Sequence, residues 1–144
     1  MAADEHHRKL ERMYHAAPVN VFYRPVLEVH EGEAKIRMTV RPEWFHAAGA
    51  VHGSVYFKAL DDAAFFAVNL LVTDVFVLTA SFTTYLLRPV TAGELHATGR
   101  IVHASRRLFV AESELVDGDG RRIAKGSGTF MRSTVALGPE VGYE

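Results

Sequence analysis

Residues 46–69 read HAAGAVHGSVYFKALDDAAFFAVN, and the side chains in them that could do chemistry are His46, His52, Asp61 and Asp62. Between His52 and Val72 the only formal charges are Lys58, Asp61 and Asp62, in a segment otherwise apolar almost all round. A carboxylate on such a segment costs several kcal/mol unless it is paired or hydrogen-bonded, so its presence asks for a reason. At helical spacing Asp61 shares a face with Phe57, Ala64, Phe65 and Val68, which is predominantly apolar. Its charge would be poorly solvated there, which favours attack on a carbonyl or activation of water. Asp62 is expected to point to a polar partner or to water. The plainer alternative is an exposed acidic stripe in which Lys58 pairs with one of the two.

The start of the same segment carries a second kind of chemistry. The first amides of a helix have no partner within it, so Gly53 and Ser54 can present N–H groups to an anion or to a carbonyl that becomes one. Gly53 would also let a ligand approach closely. At ~1.5 Å of rise per residue, Gly53 and Asp61 lie about 12 Å apart on one helix, too far to act on one carbonyl. Two such helices meeting antiparallel across a twofold axis would set Gly53 of one against Asp61 of the other, giving two identical shared sites. The expectation is therefore an obligate homodimer.

The elements that must hold this helix can be read on either side of it. Residues 4–16 place Leu10, Met13 and Tyr14 among charges, as a short amphipathic helix ending before Pro18 does. In EAKIRMTVR the residues Ala34, Ile36, Met38 and Val40 alternate with Lys35, Arg37, Thr39 and Arg41, the repeat of a strand with one wet face. The preceding VLEVH joins it through Glu31-Gly32 as a hairpin. Val75–Leu87 is rich in β-branched and aromatic residues, and Glu94–His103, RLFVAESELV and RRIAKGSGTFMR read as further strands. Asp117-Gly118-Asp119-Gly120 is turn chemistry between the last two. It is no calcium loop, because Gly128 stands where a bidentate glutamate is needed. Gly126 and Gly128, inside a strand pattern, suggest a bulge. One long buried helix with about six antiparallel strands implies an α+β fold in which a curved sheet wraps the helix. A single domain over residues 1–144 is expected, with a core of about 20–133, an N-terminal helix and linker over 1–19 and a tail over 134–144.

Bulk composition narrows the partners. Sixteen basic and 17 acidic residues nearly cancel, so nothing marks a nucleic-acid or anionic membrane surface. There is no cysteine, hence no disulfide, thiolate metal site or cysteine nucleophile. His6, His7, His15, His30, His96 and His103 lack metal-ligand spacing, and no metal is expected. The charged N-terminus lacks the apolar region of a secretory signal, and the longest apolar stretch falls short of the ~20 residues of a spanning helix. A cytoplasmic protein is expected, away from membranes.

The pattern Gly49-Ala-Val-His52-Gly53, with Asp61 eight positions further on, resembles the hot-dog-fold acyl-CoA thioesterases, in particular the phenylacetate-degradation type. Ser105-Arg106-Arg107 and the later GSGTF are similar to that family too, and the likeness runs over roughly residues 20–133. The resemblance implies hydrolysis of a thioester to a carboxylic acid and free coenzyme A, with no cofactor beyond the coenzyme A of the substrate. It implies that the Gly53 amide polarises the thioester carbonyl, while Asp61 of the partner subunit acts as base or nucleophile. His46 stands where this family commonly has an asparagine or glutamine; imidazole can donate as an amide does but also titrates near neutrality, so pH-sensitive activity is an expectation. Ser54 replaces the second glycine of the usual H-G-G and keeps the backbone amide. His52 is expected to shape the helix entrance more than to act as a base. Thr79 and Ser81 are candidates to hold water, and Arg88, Arg106 and Arg107 to bind coenzyme A phosphates, because guanidinium matches phosphate geometry. A dehydratase or hydratase pairing His46 with Asp61 and a non-catalytic acyl-CoA-binding protein are the alternatives. Tyr56, Phe57, Phe65 and Phe66 either line an acyl pocket or fill the core. Dimer and dimer of dimers are both compatible with the sequence.

Overall fold

The computed structural model describes residues 2–144. Helices α1 (Ala2–Ala16) and α2 (Pro18–Tyr23) lead into strands β1 (Val26–His30) and β2 (Glu33–Thr39). The long helix α3 (Gly53–Asn69) follows, then β3 (Val75–Leu86), β4 (Glu94–Ala104), β5 (Phe109–Asp117) and β6 (Arg122–Ala136). Short 3-10 turns occupy Pro42–Trp44 and Pro139–Val141. The six strands form one antiparallel sheet in the order β1-β2-β4-β5-β6-β3, and α3 packs across β2 through β6. The α+β architecture expected from the sequence is the one observed. No helix among the described residues is long and apolar enough to cross a membrane.

The alternation in β2 is what seats the helix: Ala34, Ile36 and Met38 are buried while Lys35, Arg37 and Thr39 face water. Gly99 on β4 lets the helix come close, since a Cβ there would stand 2.1 Å from the Ala63 carbonyl oxygen. Beside it the buried Ser113 hydroxyl donates to the Leu60 carbonyl at 2.7 Å, tying β5 to the middle of α3.

Gly126 and Gly128 are not at a bulge: both stay in register with β3 and β5, and they make room for the Phe82 ring, which a Cβ at Gly126 would meet at 2.3 Å and one at Gly128 at 2.5 Å. The irregularity lies in β3 instead, where Thr79 pairs with Phe130 and Ser81 with Thr129, leaving Ala80 as an extra residue. Pro18 ends α1 as expected and then opens a second helix, because its missing N–H costs nothing at a first helical position. Residues 137–144 are docked on the domain: Leu137, Val141 and Tyr143 pack on the core. The Tyr143 hydroxyl donates to His6 Nδ1 at 2.7 Å while His6 Nε2 donates to the Asn69 carbonyl at 2.8 Å. Burial holds His6 below its usual range, consistent with that neutral arrangement.

Candidate active site

Asp61 and Asp62 are consecutive on α3 and therefore leave the helix about 100° apart, so different walls receive them. Asp61 turns toward β3, where the Thr79 hydroxyl donates to its Oδ1 at 2.8 Å. Asp62 turns toward α1: its Oδ2 accepts from the Tyr14 hydroxyl at 2.7 Å and pairs with Lys58 Nζ at 2.8 Å. The acidic residues are thus no exposed stripe. Loss of solvent pushes the Asp61 carboxyl up to about 6; the Thr79 hydrogen bond and the Lys58 charge pull it down, and the Asp62 charge adds to the rise.

The bulge at Ala80 decides which strand hydroxyl meets the carboxylate. An unbroken strand would show Thr79 and Ser81 on one face. The extra residue reverses the phase, so Val77 and Thr79 face the helix before it while Phe82 and Thr84 do so after it. Ser81 is exposed on the far face, hydrogen-bonded to Thr129 at 2.7 Å, and does not reach Asp61.

Asp61, Asp62 and Thr79 open onto a cavity of about 770 Å³. Phe65, Phe66 and Phe76 line it, and residues of α1, α2 and the segment 140–142 form its other wall. Of the four candidate aromatics on α3, Phe65 and Phe66 line this space. Tyr56 is buried with its hydroxyl on the Arg88 carbonyl, and the half-exposed Phe57 packs edge-on to Phe82. The wall from α1 and α2, and the Tyr14 contact, escaped the sequence reading. Met13 and Tyr14 on the apolar stripe of the first helix were the available signal, without anything to say where that stripe docks.

At the other end of α3, His52 is the N-cap: its Nδ1 accepts from the Ser54 amide at 3.1 Å and from the Ser54 hydroxyl at 2.8 Å. Nδ1 is thereby taken up at the helix entrance. The Gly53 amide has no acceptor among the described residues, and a Cβ at Gly53 would meet Leu86 Cδ1 at 2.7 Å. His46 sits in the preceding loop, where its Nδ1 accepts from the Ala48 amide at 3.0 Å and Gly49 turns the chain with φ +82°. No hydrogen bond joins His46 to Asp61. Arg88 lies in the exposed loop after β3, near the helix start, whereas Arg106 and Arg107 lie in the exposed β4–β5 turn. Within one chain the structure brings together Asp61 and Thr79. It keeps Gly53 eight residues, about 12 Å, away along the helix. Among the described residues no group of three or more His, Cys, Asp or Glu is placed to hold a metal ion.

An antiparallel sheet folded over one long helix, with a carboxylate half-buried midway along that helix, defines the hot-dog class. Residues 48–124 match the model of the thioesterase superfamily, and the chain belongs to that superfamily. Two curated archaeal proteins bearing the name "Putative esterase" are similar: one from Saccharolobus solfataricus is 26% identical over 72% of this chain and 69% of its own. The other, from Sulfurisphaera tokodaii, is 28% identical over 72% of this chain and 77% of its own. Among solved structures, the PaaI protein of the E. coli phenylacetic acid degradation operon superposes with a TM-score of 0.85 at 22% identity, covering 94% of this chain and 99% of that one. A thioesterase from Haemophilus influenzae superposes with a TM-score of 0.77 at 16% identity over 83% and 85%. At these identities the structural likeness establishes the fold.

Proposed function

We propose that the protein hydrolyses an acyl-CoA thioester to a carboxylic acid and free coenzyme A. The observation that carries this reading is Asp61: a carboxylate raised to about 6, held by Thr79 and facing an apolar cavity. Near neutral pH it is ionised yet poorly solvated, the state a base or nucleophile needs. As base it takes a proton from water whose oxygen bonds the thioester carbon; as nucleophile its own oxygen bonds that carbon and water later releases the acid. In either course the C–S bond breaks and the sulfur leaves as thiolate, to be protonated from solvent. The charge that grows on the carbonyl oxygen is met by the Gly53 amide and the positive end of α3, a contribution of about 3 kcal/mol for one well-aimed donor.

Because Gly53 and Asp61 of one chain cannot reach one carbonyl, the reading requires a homodimer, alone or as a dimer of dimers. The sheet offers a place for it. β3 is a 12-residue edge strand, and Leu78, Tyr85, Leu86 and the neighbouring Met131 are half-exposed apolar side chains on or beside it. Arg88, Arg106 and Arg107, exposed in loops, are suited to the coenzyme A phosphates. Thiol release from a panel of aliphatic and aromatic acyl-CoAs, with Asp61→Asn as control, tests the proposal. Thiol release lost in that variant with acyl-CoA binding retained supports it. Turnover of an enoyl-CoA without thiol release would favour a hydratase, and binding with no turnover in the parent protein a binder.

A further inference from the structure

Among the polar side chains on the cavity wall, Lys58, Asp62 and Tyr14 form one cluster that has no part in the proposed reaction. Their arrangement is built and not incidental. Tyr14 is 4% exposed and stacks edge-on against Phe66 with ring centroids 5.0 Å apart. The Lys58 and Asp62 side chains are 13% and 17% exposed, and the ammonium lies over the Tyr14 ring at 5.6 Å and the Tyr23 ring at 5.2 Å. Two aromatic faces and a carboxylate from three helices thus converge on one cation. Surface pairs of this spacing contribute little, but one sheltered by aromatic rings keeps a definite place.

We propose that Lys58, fixed by Asp62 and Tyr14, is a positioning residue that lets Asp61 act as a carboxylate at neutral pH, a role that rests on Asp61 being the group that attacks or activates water. Two adjacent carboxylates on a poorly solvated wall oppose each other's ionisation. Asp62 alone would therefore hold the proton on Asp61 to higher pH, whereas the Lys58–Asp62 pair is neutral as a unit and leaves Asp61 the net charge on this wall of the cavity. The groups facing Asp61 are few: Lys58 and Asp62 on α3, Tyr14 on α1, the Thr79 hydroxyl on β3 and the exposed Glu140 of the C-terminal segment. Within the chain none of the others is a cation, so nothing else on this wall replaces Lys58. Tyr14 makes the N-terminal helix part of the device, because its hydroxyl fixes the Asp62 oxygen that Lys58 also binds.

The test is the acid limb of the pH profile of kcat/KM for thiol release, measured in the parent protein and in Lys58→Met, Lys58→Arg, Asp62→Asn and the Lys58→Met/Asp62→Asn double variant. Lys58→Met is expected to move the limb up by about one pH unit, lowering the rate at pH 6 about fivefold while leaving it at pH 9. Lys58→Arg restores the limb, Asp62→Asn moves it down, and the double variant, which removes the opposed effects of Lys58 and Asp62 together, returns it toward the parent. A purely structural pair would change melting temperature in all four and leave the limb in place, which overturns the proposal. Titration of the Asp61 carboxyl carbon by NMR in aspartate-labelled protein, assigned by its loss in Asp61→Asn, reads the same effect without turnover. An Asp61 titration unmoved by Lys58→Met overturns the positioning role whatever the activity. A titration that moves in a protein whose thiol release survives Asp61→Asn upholds the cluster's effect on the carboxyl and overturns Asp61 as the group that attacks or activates water.

Discussion

Replacing Asp61 by Asn should make the protein more stable at alkaline pH and no different in acid. The side chain keeps its shape and an oxygen to accept from Thr79, so the change is the removal of a charge. Folding raises the Asp61 carboxyl from 3.8 to about 6. The fold therefore favours the protonated form: the contribution is fully present below about pH 4 and is lost as pH rises through about 6. At ~1.36 kcal/mol per unit, that rise is a destabilisation of about 3 kcal/mol at pH 8. Water reaching the carboxylate from the cavity brings it to roughly 2 kcal/mol, or about 5 °C in melting temperature for a chain of this size. Thermal unfolding of both proteins at one protein concentration and at several values from pH 4 to pH 8 measures it. The expected result is a gap that opens between pH 4 and pH 7 in favour of Asp61→Asn. A gap independent of pH, or a variant less stable at pH 8, would refute the claim that this carboxylate is held ionised against the preference of the fold.

Other substitutions separate chemistry from architecture. Thr79→Val removes the one hydroxyl on Asp61, so the carboxyl should rise further, by about one pH unit, and kcat/KM fall about twofold at pH 7 and about fivefold at pH 6, recovering at pH 9 where ionisation is nearly complete. Gly53→Ala brings a methyl 2.7 Å from Leu86 Cδ1, a flexible side-chain end; circular dichroism should report an intact fold while turnover drops by at least about tenfold as the amide is screened. Gly99→Ala should do the opposite kind of damage: its Cβ would lie 2.1 Å from the backbone oxygen of Ala63, forcing α3 off the sheet at a cost of about 3 kcal/mol or more, measured by denaturant unfolding.

What could be read from the sequence was local and periodic. The two-residue alternation of β2, the turn residues at Glu31-Gly32 and Asp117–Gly120, and the apolar run of α3 are each carried by neighbouring residues, and the architecture followed from them. Asp61 could be placed inward because its helical face is apolar. The plane of Ser81 could not be foreseen, because the bulge sits at Ala80, an unremarkable residue whose extra place in β3 is set by pairing with Phe130 and Thr129 on β6. Gly126 and Gly128 were read as causes of irregularity when they are spaces for Phe82, a contact between strands that only the register creates. The Tyr14–Asp62 bond joins residues 48 apart, and no pattern within either helix announces it. Pro18 marked a boundary correctly and concealed the helix beyond it, since the same ring that stops one helix suits the first position of the next.

A site made by two chains is tested most directly by subunit mixing. Asp61→Asn and Gly53→Val, each inactive alone, are unfolded together, refolded at equal amounts and assayed for thiol release. If the carboxylate of one chain serves the amide of the other, half of the dimers are mixed and each contains one intact site, so about a quarter of parent activity returns. Mixed dimers demonstrated by mass spectrometry but without recovered thiol release would contradict it.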